Sequence, residues 1–296
     1  MSVKLIVAMC KNNGIGFNNK IPWRISEDMS YFSKKTSGDY VEVNETIKKN
    51  AVIMGRNTWD SLPKKYKPLP NRFNIVLTRN PQKLLTLDMD MDMDIDDYDA
   101  DKKPTDYISS LDEAIKICYG GGEKGEKGEK GENNIKIEYE TSRHFSSCKI
   151  NDIWIIGGSS VYQEFIHRDL TMSLNVCNRN NRNNGLSSYY ITYIDNEYEC
   201  DTYFPMLKNM NKYHLTQFEK QACIDKNKPD APLINVYYIV FKKIKYIDDK
   251  LLEELFIPCK SNTNKNLLLY VKKTKINIYN KYTNYEHEIL FSMFCS

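Results

Sequence analysis

The chain has 296 residues, of which 41% are hydrophobic and 27% are charged, proportions that suit one or two globular domains with a sizeable core. Its formal net charge of +3 gives no argument for nucleic acid or an anionic membrane as a partner. No run of 18 apolar residues predicts a membrane span, and the opening MSVKLIVAMCKNN has no cleavage pattern of a signal peptide, so we expect a cytoplasmic protein.

The cysteines are scattered, at positions 10, 118, 148, 177, 200, 223, 259 and 295, and none forms a C-x-x-C pair. Histidines are few. This usage predicts reduced, structural thiols, and it gives little support to a zinc site or a disulfide framework.

The first predicted strand, VKLIVAM (3 to 9), leads into GIGFNNKIPWRISEDMSYF (14 to 32). The Gly-x-Gly pair indicates a mobile or tightly turned loop, and Ser26 followed by acids is a helix-start signal. In that helix Asp28 and Phe32 would share one face, because they lie four positions apart. The segment therefore predicts a buried acid beside an aromatic ring.

The next strands are AVIM (51 to 54) and FNIVLT (73 to 78), and each ends beside candidate anion ligands. Arg56 would open a helix after Gly55, where backbone N–H groups and a guanidinium favour a phosphate. Thr78 and Arg79 follow the second strand, and with Arg56 they could hold a 2′-phosphate such as that of NADPH. Taken alone, Arg56 is more often a solvated helix residue, and Arg79 could simply face solvent.

Later strands are predicted at IWII (153 to 156), SYYITYI (188 to 194) and LINVYYIVF (233 to 241), and Gly157 and Gly158 would let a ligand approach the backbone closely. Ser159 and Ser160 can cap the helix that follows. No G-x-G-x-x-G fingerprint is present, which weakens an ordinary dinucleotide-fold interpretation. Helices are predicted after residues 26, 56, 110 and 159. Strands that are apolar on both faces and alternate with helices predict an α/β fold with a mostly parallel sheet, in which LINVYYIVF could be an antiparallel edge strand.

Low-complexity segments interrupt this pattern near 86–105, 119–147 and 170–187, and they read as solvated loop insertions. The acidic run at 88 to 101 lacks the glycine and distal glutamate of a calcium-binding loop. Residues 245–296 form a lysine- and asparagine-rich C-terminal extension without an assigned role, and DDKLLEELF within it is a helix candidate.

The motifs GIGxNNxIPW, MGRxTW, SLP, KPLPNR, VLTR, IWIIGGSSVY and ECDTYFP occur in this order and at compatible spacings, and together they resemble dihydrofolate reductase over about residues 3 to 244. The resemblance implies a dihydrofolate-reductase-like three-layer α/β/α fold for residues 1–244, with a mostly parallel central sheet and an antiparallel C-terminal edge strand. Ile21 stands where this family usually has leucine, a change that we expect to be tolerated.

The resemblance implies that Asp28 is the single active-site carboxylate, which accepts hydrogen bonds from the 2-amino group and N3 of a pterin ring. Arg72 would pair with the α-carboxylate of the substrate's glutamate tail. Trp23 and Thr192 would complete the catalytic group, and Thr192 would hold Asp28 and a bound water. The other substrate contacts implied are Ile6, Val7, Phe32, Leu62, Leu69, Ile156 and Tyr162.

NADPH is the implied cofactor and dihydrofolate the implied substrate, with no metal. The lid over the nicotinamide would be residues 14 to 23, and water would deliver the proton. The paired glycines match a turn of this family that often contains a cis peptide. Cofactor contacts are assigned to Ala8, Ile15, Gly16, Gly55, Arg56, Asn57, Thr58, Leu77, Thr78, Arg79, Gly157, Gly158, Ser159, Ser160 and Val161.

Two rivals remain: a related pterin or pyrimidine reductase, which would not need Asp28 and Arg72 together, and a degenerate domain that binds protein or RNA. We expect a monomer without nucleic-acid or membrane partners. This reductase is fused to thymidylate synthase in some organisms, so the C-terminal extension could contact such an enzyme, although no catalytic cysteine motif of a synthase follows.

Overall fold

A computed structural model describes residues 1–37, 41–43, 46–81, 106–119, 148–174, 186–207, 210–243 and 289–290 of the chain. The predicted insertions near 86–105, 119–147 and 170–187 lie almost wholly outside these residues, as does nearly all of the 245–296 extension with its DDKLLEELF helix. In the described part of the chain, no helix is both long enough and apolar enough to span a membrane.

The described strands and helices alternate through most of the chain. The helices are α1 (Ser26–Ser37), α2 (Arg56–Ser61), α3 (Leu111–Cys118) and α4 (Ser159–Leu174), with 3-10 turns at Lys11–Asn13, Lys64–Tyr66 and Met210–Lys212. The strands are β1 (Val3–Cys10), β2 (Gly14–Gly16), β3 (Val41–Val43), β4 (Thr46–Gly55), β5 (Arg72–Leu77), β6 (Asp106–Ile108), β7 (Cys148–Gly157), β8 (Leu186–Ile194), β9 (Thr202–Tyr203), β10 (Tyr213–Cys223) and β11 (Ile234–Lys243).

Every strand and helix that was predicted within the described residues is present, although β4 and β7 each begin five residues earlier than predicted. Helix α3 shows how the sequence specifies such an element. The Ser110 side chain accepts a hydrogen bond from the backbone N–H of Glu113, which satisfies one unpaired donor at the helix start. Leu111, Ala114, Ile115 and Cys118 are all buried, as the spacing of one helix face requires.

The chain forms two compact units. The first comprises residues 1–3 and 30–161. Its strands run in the order β7-β4-β5-β6, all pairs parallel, with β3 antiparallel to β4. Ala51, Val52, Ile53 and Met54 are fully buried at consecutive positions, which is the pattern of a parallel strand covered on both faces.

The carboxyl ends of three neighbouring strands of the first unit lie side by side. Gly55 of β4 pairs with Leu77 of β5, and Met54 of β4 pairs with Gly157 of β7. The turns that follow these residues therefore start at one edge of the sheet, where α/β proteins bind their ligands. We call this edge the strand-end edge.

The second unit comprises residues 4–29 and 162–296. Its main strand order is β10-β11-β8-β1, and β2 pairs with β9 in a separate two-stranded sheet. β11 is antiparallel to both β10 and β8. The predicted α/β fold with mostly parallel strands and an antiparallel C-terminal edge strand is confirmed; the edge is β10, and LINVYYIVF forms β11 one position inward.

Candidate functional site

The Asp28 carboxyl lies in the first turn of α1 and is buried, with 5% of the residue exposed. Burial raises its pKa to about 6 from an ordinary 3.8, and hydrogen bonding by the side chains of Thr192 and Trp23 partly opposes that rise. Because removal from water disfavours the charged form and hydrogen bonds to a carboxylate favour it, Asp28 is held where it can change its charge close to neutral pH.

The Thr192 side chain reaches Asp28 from β8, where Thr192 pairs with Tyr238 of β11. Trp23 is also buried. Its indole Nε1 meets no acceptor at ordinary hydrogen-bond distance and angle within the described residues, but its position beside the carboxyl lowers the pKa of Asp28. The structure thus places Thr192 and Trp23 beside Asp28, and their catalytic roles stay predictions.

Residues before Asp28 are held by another buried carboxylate, Asp225. Its Oδ1 accepts from the backbone N–H of Arg24 at 2.9 Å and from that of Asn227 at 3.0 Å, and its Oδ2 accepts from the Tyr198 hydroxyl at 2.8 Å. Burial raises the pKa of Asp225, but these hydrogen bonds outweigh it and hold the pKa below its usual range. The Trp23 and Tyr198 rings pack 5.3 Å apart, which fixes the indole.

The segment of residues 14 to 23 differs in detail from the prediction. Gly14–Gly16 is extended as β2 and pairs with β9, so the glycines do not form the tight turn. The turn comes next, where Phe17 and Lys20 exchange backbone hydrogen bonds of 2.9 Å and Asn18 and Asn19 take positive φ angles. Asparagine tolerates this left-handed conformation better than most residues.

Ile6, Val7 and Ala8 lie on β1, and Ile6 and Val7 are buried. The Tyr162 hydroxyl donates to the Ile6 carbonyl at 2.7 Å. A carbonyl oxygen has two lone pairs, so this bond orients the Ile6 carbonyl and leaves it one acceptor position. Tyr162, expected as a direct contact, is itself buried, and in the structure its hydroxyl positions the Ile6 carbonyl.

In the first unit, the Arg72 guanidinium is fixed by its surroundings. Nη1 donates to Thr36 Oγ1 at 2.6 Å, Nε donates to the Pro70 carbonyl at 2.9 Å, and the guanidinium carbon lies 5.9 Å from the Phe32 ring centre. Burial lowers the pKa of Arg72 to about 10, so it stays cationic at neutral pH. Two of the predicted substrate contacts, Phe32 and Arg72, are thus brought together.

The turn that carries Leu69 and Arg72 is held by Asn74, which the sequence analysis did not single out. Asn74 Oδ1 accepts from the Leu69 N–H at 2.9 Å, and Nδ2 donates to the carbonyls of Leu69 at 2.9 Å and Arg72 at 3.1 Å. Leu69 is buried and Leu62 is half-buried. An isolated asparagine in a strand pattern gives no local signal for this role.

At the strand-end edge, Arg56 begins α2 directly after Gly55. Its Nε donates to Asp60 Oδ2 at 2.8 Å, and both side chains are about half exposed (43% and 50%). An exposed pair of this kind contributes at most about 1 kcal/mol, so Arg56 can exchange it for another anion. Thr78 follows the paired residue Leu77, and Arg79 beside it is exposed; no contact joins the Arg56, Thr78 and Arg79 side chains within the described residues.

The Gly157–Gly158 turn contains a cis peptide bond, as the family turn predicted. Gly157 has a φ of 129°, which a side chain would strain. A Cβ on Gly158 would lie 3.1 Å from Thr58 Oγ1, and one on Gly55 would lie 3.1 Å from Val161 Cγ2. The turns at the strand-end edge carry the predicted cofactor contacts Gly55, Asn57, Thr58, Leu77, Gly157, Gly158, Ser159, Ser160 and Val161, and the glycines leave the backbone open where a Cβ would crowd Thr58 or Val161. Ile156 precedes this turn in β7.

Tyr238 and Cys223 also lie close to Asp28, and the sequence analysis missed both. Burial, followed by the negative charges of Glu27 and Asp28, raises the pKa of Cys223 to about 11. Burial, followed by the charges of Cys223, Asp28 and Glu27, raises the pKa of Tyr238. The signal for Tyr238 is its cross-strand pairing with Thr192, which requires the strand register.

A family model described as dihydrofolate reductase matches residues 2–123. The dihydrofolate reductase of Heliothis virescens is 32% identical over 246 residues, which cover 82% of this chain and 98% of the relative. That of Sus scrofa is 31% identical over 215 residues, 71% of this chain and 82% of the relative.

A bifunctional dihydrofolate reductase-thymidylate synthase of Daucus carota is 28% identical over 205 residues, 69% of this chain and 28% of that larger protein. The near-complete coverage of the Heliothis protein agrees with the strand order and with the placement of the sequence motifs. The chain belongs to the dihydrofolate reductase family.

Proposed function

We propose that this protein reduces 7,8-dihydrofolate to 5,6,7,8-tetrahydrofolate with NADPH (EC 1.5.1.3), in the cytoplasm and in support of thymidylate and one-carbon metabolism. The observation that carries the proposal is the buried Asp28 carboxyl, whose pKa of about 6 reflects burial opposed by Thr192 and Trp23. A fold gains no stability from such a group, so a role in binding or catalysis accounts for it best.

Asp28 would bind the pterin ring through two parallel hydrogen bonds. The 2-amino group and N3–H of the ring form a planar pair of donors, and an ionised carboxylate presents two acceptor oxygens in one plane. Thr192 would keep the carboxylate in that orientation. The carbonyl of Ile6, oriented by Tyr162, and that of Ile156 would accept from the pterin edge.

The tail of the substrate would be bound by Arg72. Its bonds to Thr36 and Pro70 fix the guanidinium plane and use two of its five N–H groups. The others would pair with the α-carboxylate of the glutamate. Phe32, Leu62 and Leu69 would pack against the apolar part of the substrate, and Val7 would lie behind the pterin.

The strand-end edge fits NADPH, because the chain lacks a Cβ at Gly55 and Gly158 where backbone must approach a ligand. Arg56, Thr78 and Arg79 would bind the 2′-phosphate, and Asn57, Thr58, Leu77 and residues 157–161 would bind the remainder. Ala8, Ile15 and Gly16 would contact the nicotinamide side. When bound, NADPH supplies the hydride.

The proton for N5 of the pterin would come from water, because Asp28 is the sole acid that we assign to the pterin and it would face the opposite edge of the ring. The Asp28 anion would raise the basicity of N5. Residues 14 to 23 would close over the reacting groups, exclude bulk water and reopen for product release. Trp23, fixed against Tyr198, would orient that water.

The decisive experiment measures NADPH oxidation with dihydrofolate in wild type, Asp28→Asn and Glu27→Gln. Glu27 is the matched control, because it is the adjacent acid of the same helix turn and has no assigned contact. We expect robust turnover in wild type and in Glu27→Gln, and a loss of about two or more orders of magnitude in Asp28→Asn, the scale of one preorganised catalytic group.

Other outcomes would redirect the proposal. Full activity in Asp28→Asn would remove Asp28 from the mechanism. Quenching of tryptophan fluorescence by NADPH without any turnover would favour a related pterin or pyrimidine reductase, and no binding of either ligand would favour a degenerate domain.

We also propose a monomer, with residues 245–296 free to contact a thymidylate synthase; sedimentation of the full chain tests its oligomeric state.

A further inference from the structure

Two cysteines from distant parts of the sequence meet in the second unit. Cys10 is the last residue of β1, and Cys200 lies just before β9. Their Sγ atoms are 3.7 Å apart, and both cysteines are free thiols. Cys10 is fully buried, whereas Cys200 is half-buried. Of the two cysteines, Cys200 is therefore the one more exposed to solutes.

Gly14 provides the space in which the sulfurs meet. A Cβ on Gly14 would lie 2.4 Å from Cys200 Sγ and 2.9 Å from Cys10 Sγ, so any larger residue would displace the pair. The backbone on either side is held by a bond of 3.1 Å from the Lys11 N–H to the Asn196 carbonyl and one of 2.8 Å from the Phe204 N–H to the Asn13 carbonyl. The two sulfurs are thus held near each other by the fold.

We propose that Cys10 and Cys200 form a modification site at which a hydroperoxide makes an intramolecular disulfide, and that this bond restrains the segment of residues 14 to 23. A disulfide requires the sulfurs to approach to about 2.05 Å, a movement that rotation about the side-chain bonds can supply. The earlier expectation of reduced thiols describes the resting state in a reducing compartment.

The chemistry balances with peroxide as the oxidant. The Cys200 thiolate attacks one peroxide oxygen, the O–O bond breaks, Cys200 becomes a sulfenic acid, and the released hydroxide takes a proton to form water. Cys10 sulfur then attacks Cys200 sulfur, the S–O bond breaks, and the leaving hydroxide takes the Cys10 proton. Two thiols and one peroxide give one disulfide and two waters.

The order of these steps follows from the surroundings of the thiols. Burial, followed by the nearby Cys200, raises the pKa of Cys10 to about 12, so Cys10 remains a thiol at neutral pH and Cys200 is the first to react. Once Cys200 is a neutral sulfenic acid, its charge no longer raises the Cys10 pKa. Cys10 is then the adjacent resolving thiol.

The Cys10–Cys200 disulfide would act on residues 14 to 23, which are already hydrogen-bonded to Asp201, the residue after Cys200. The Asp201 N–H donates to the Gly16 carbonyl at 3.0 Å, and the Asn18 N–H donates to Asp201 Oδ2 at 2.8 Å. A covalent link beside these bonds would limit opening of residues 14 to 23. The expected effect on turnover rests on the proposed function, in which residues 14 to 23 open for product release. Formation of the disulfide does not rest on the proposed function.

The test treats the full-length protein with hydrogen peroxide and maps cysteine-containing peptides by mass spectrometry without reduction. We expect a cross-linked peptide joining Cys10 and Cys200 that dithiothreitol removes, in wild type and in the control Cys118→Ser. Neither Cys10→Ser nor Cys200→Ser should give it. Cys118 is a suitable control because it is a buried thiol of α3 in the first unit.

A second readout is independent of catalysis. Lys20 and Arg24 are exposed, so trypsin can report opening of the segment. We expect trypsin to cut oxidised wild type there at least about threefold more slowly than reduced wild type. In a separate assay that rests on the proposed function, kcat should fall reversibly by a similar factor. Oxidation of Cys200 without a link to Cys10 would overturn the site. A Cys10–Cys200 disulfide that leaves the rate of proteolysis unchanged would overturn the proposed restraint of residues 14 to 23. If the protein has no reductase activity, the peptide mapping and the proteolysis still test the disulfide and its effect on the segment.

Discussion

The Asp28 pocket and the strand-end edge would bind the proposed ligands by opposite means. Asp28 is 5% exposed and its charge is opposed by burial, whereas Arg56 is about half exposed and already paired with Asp60. In the first case one buried group would carry most of the selectivity, and its loss should be severe. At the strand-end edge, backbone groups and several exposed charges would bind the ligand together, so removing any one of them should weaken binding only modestly.

The largest expected effect is on stability, because burying the ionised Asp28 carboxyl lowers the free energy of unfolding. Its folded-state pKa of about 6 exceeds the ordinary 3.8, so the folded protein binds the proton more tightly than the unfolded chain. The cost is therefore absent below about pH 4, grows as pH rises and is complete above about pH 6, where it amounts to roughly 3 kcal/mol.

We therefore expect Asp28→Asn to raise the free energy of unfolding by up to about 3 kcal/mol at pH 8 and by nothing at pH 4. Urea unfolding at the two pH values measures this difference. Glu27→Gln should show no such pH-dependent gain. A pH-independent change in Asp28→Asn would mean that the carboxyl is not strained by burial, and it would weaken the contrast between the two regions.

An intermediate effect is expected at Arg72, which is partly buried and bonded to Thr36 and Pro70. Lysine cannot present the planar pair of donors that a carboxylate prefers. Arg72→Lys should weaken dihydrofolate binding about 10- to 100-fold, the scale of a charge-assisted bond. Binding of 7,8-dihydropteroate, which lacks the glutamate, should change little; equal losses for both compounds would show that Arg72 acts only through the fold.

The smallest effect is expected at the strand-end edge. Arg56→Ala should weaken NADPH binding about three- to tenfold, while Asp60→Ala, which releases Arg56 from its exposed ion pair, should strengthen it less than about threefold. Fluorescence titration measures both changes, with NADH as a comparison that lacks the 2′-phosphate. A hundredfold loss in Arg56→Ala would mean that this edge, like the Asp28 pocket, depends on a single residue.

Much of this arrangement could be predicted from local sequence. Consecutive apolar residues indicated β4, β5 and β7, and an acid among apolar neighbours drew attention to Asp28. The missed strand β10 has exposed residues over Glu219, Lys220 and Gln221, so its pattern is polar, and its pairing with β11 specifies it instead. β6 spans three residues, too few to show a period.

Contacts between distant residues could not be predicted from any window of sequence. The sulfurs of Cys10 and Cys200 are 190 positions apart in the chain, and the Tyr162 hydroxyl and the Ile6 carbonyl are 156 apart. The Asn74 bonds are short in range, yet an asparagine forms such bonds only where the backbone turns back on it. These features follow from the folded chain.

The polarity of β10 has a consequence for the behaviour of the protein at high concentration. β10 is the last strand in the sheet order of the described residues, and its outer hydrogen-bonding groups could template a strand from a second molecule. Charged side chains on an outermost strand oppose such pairing, and Glu219 and Lys220 are exposed there. The polar residues that make β10 hard to predict from the sequence, among them Glu219 and Lys220, thus also oppose edge-to-edge association of two molecules.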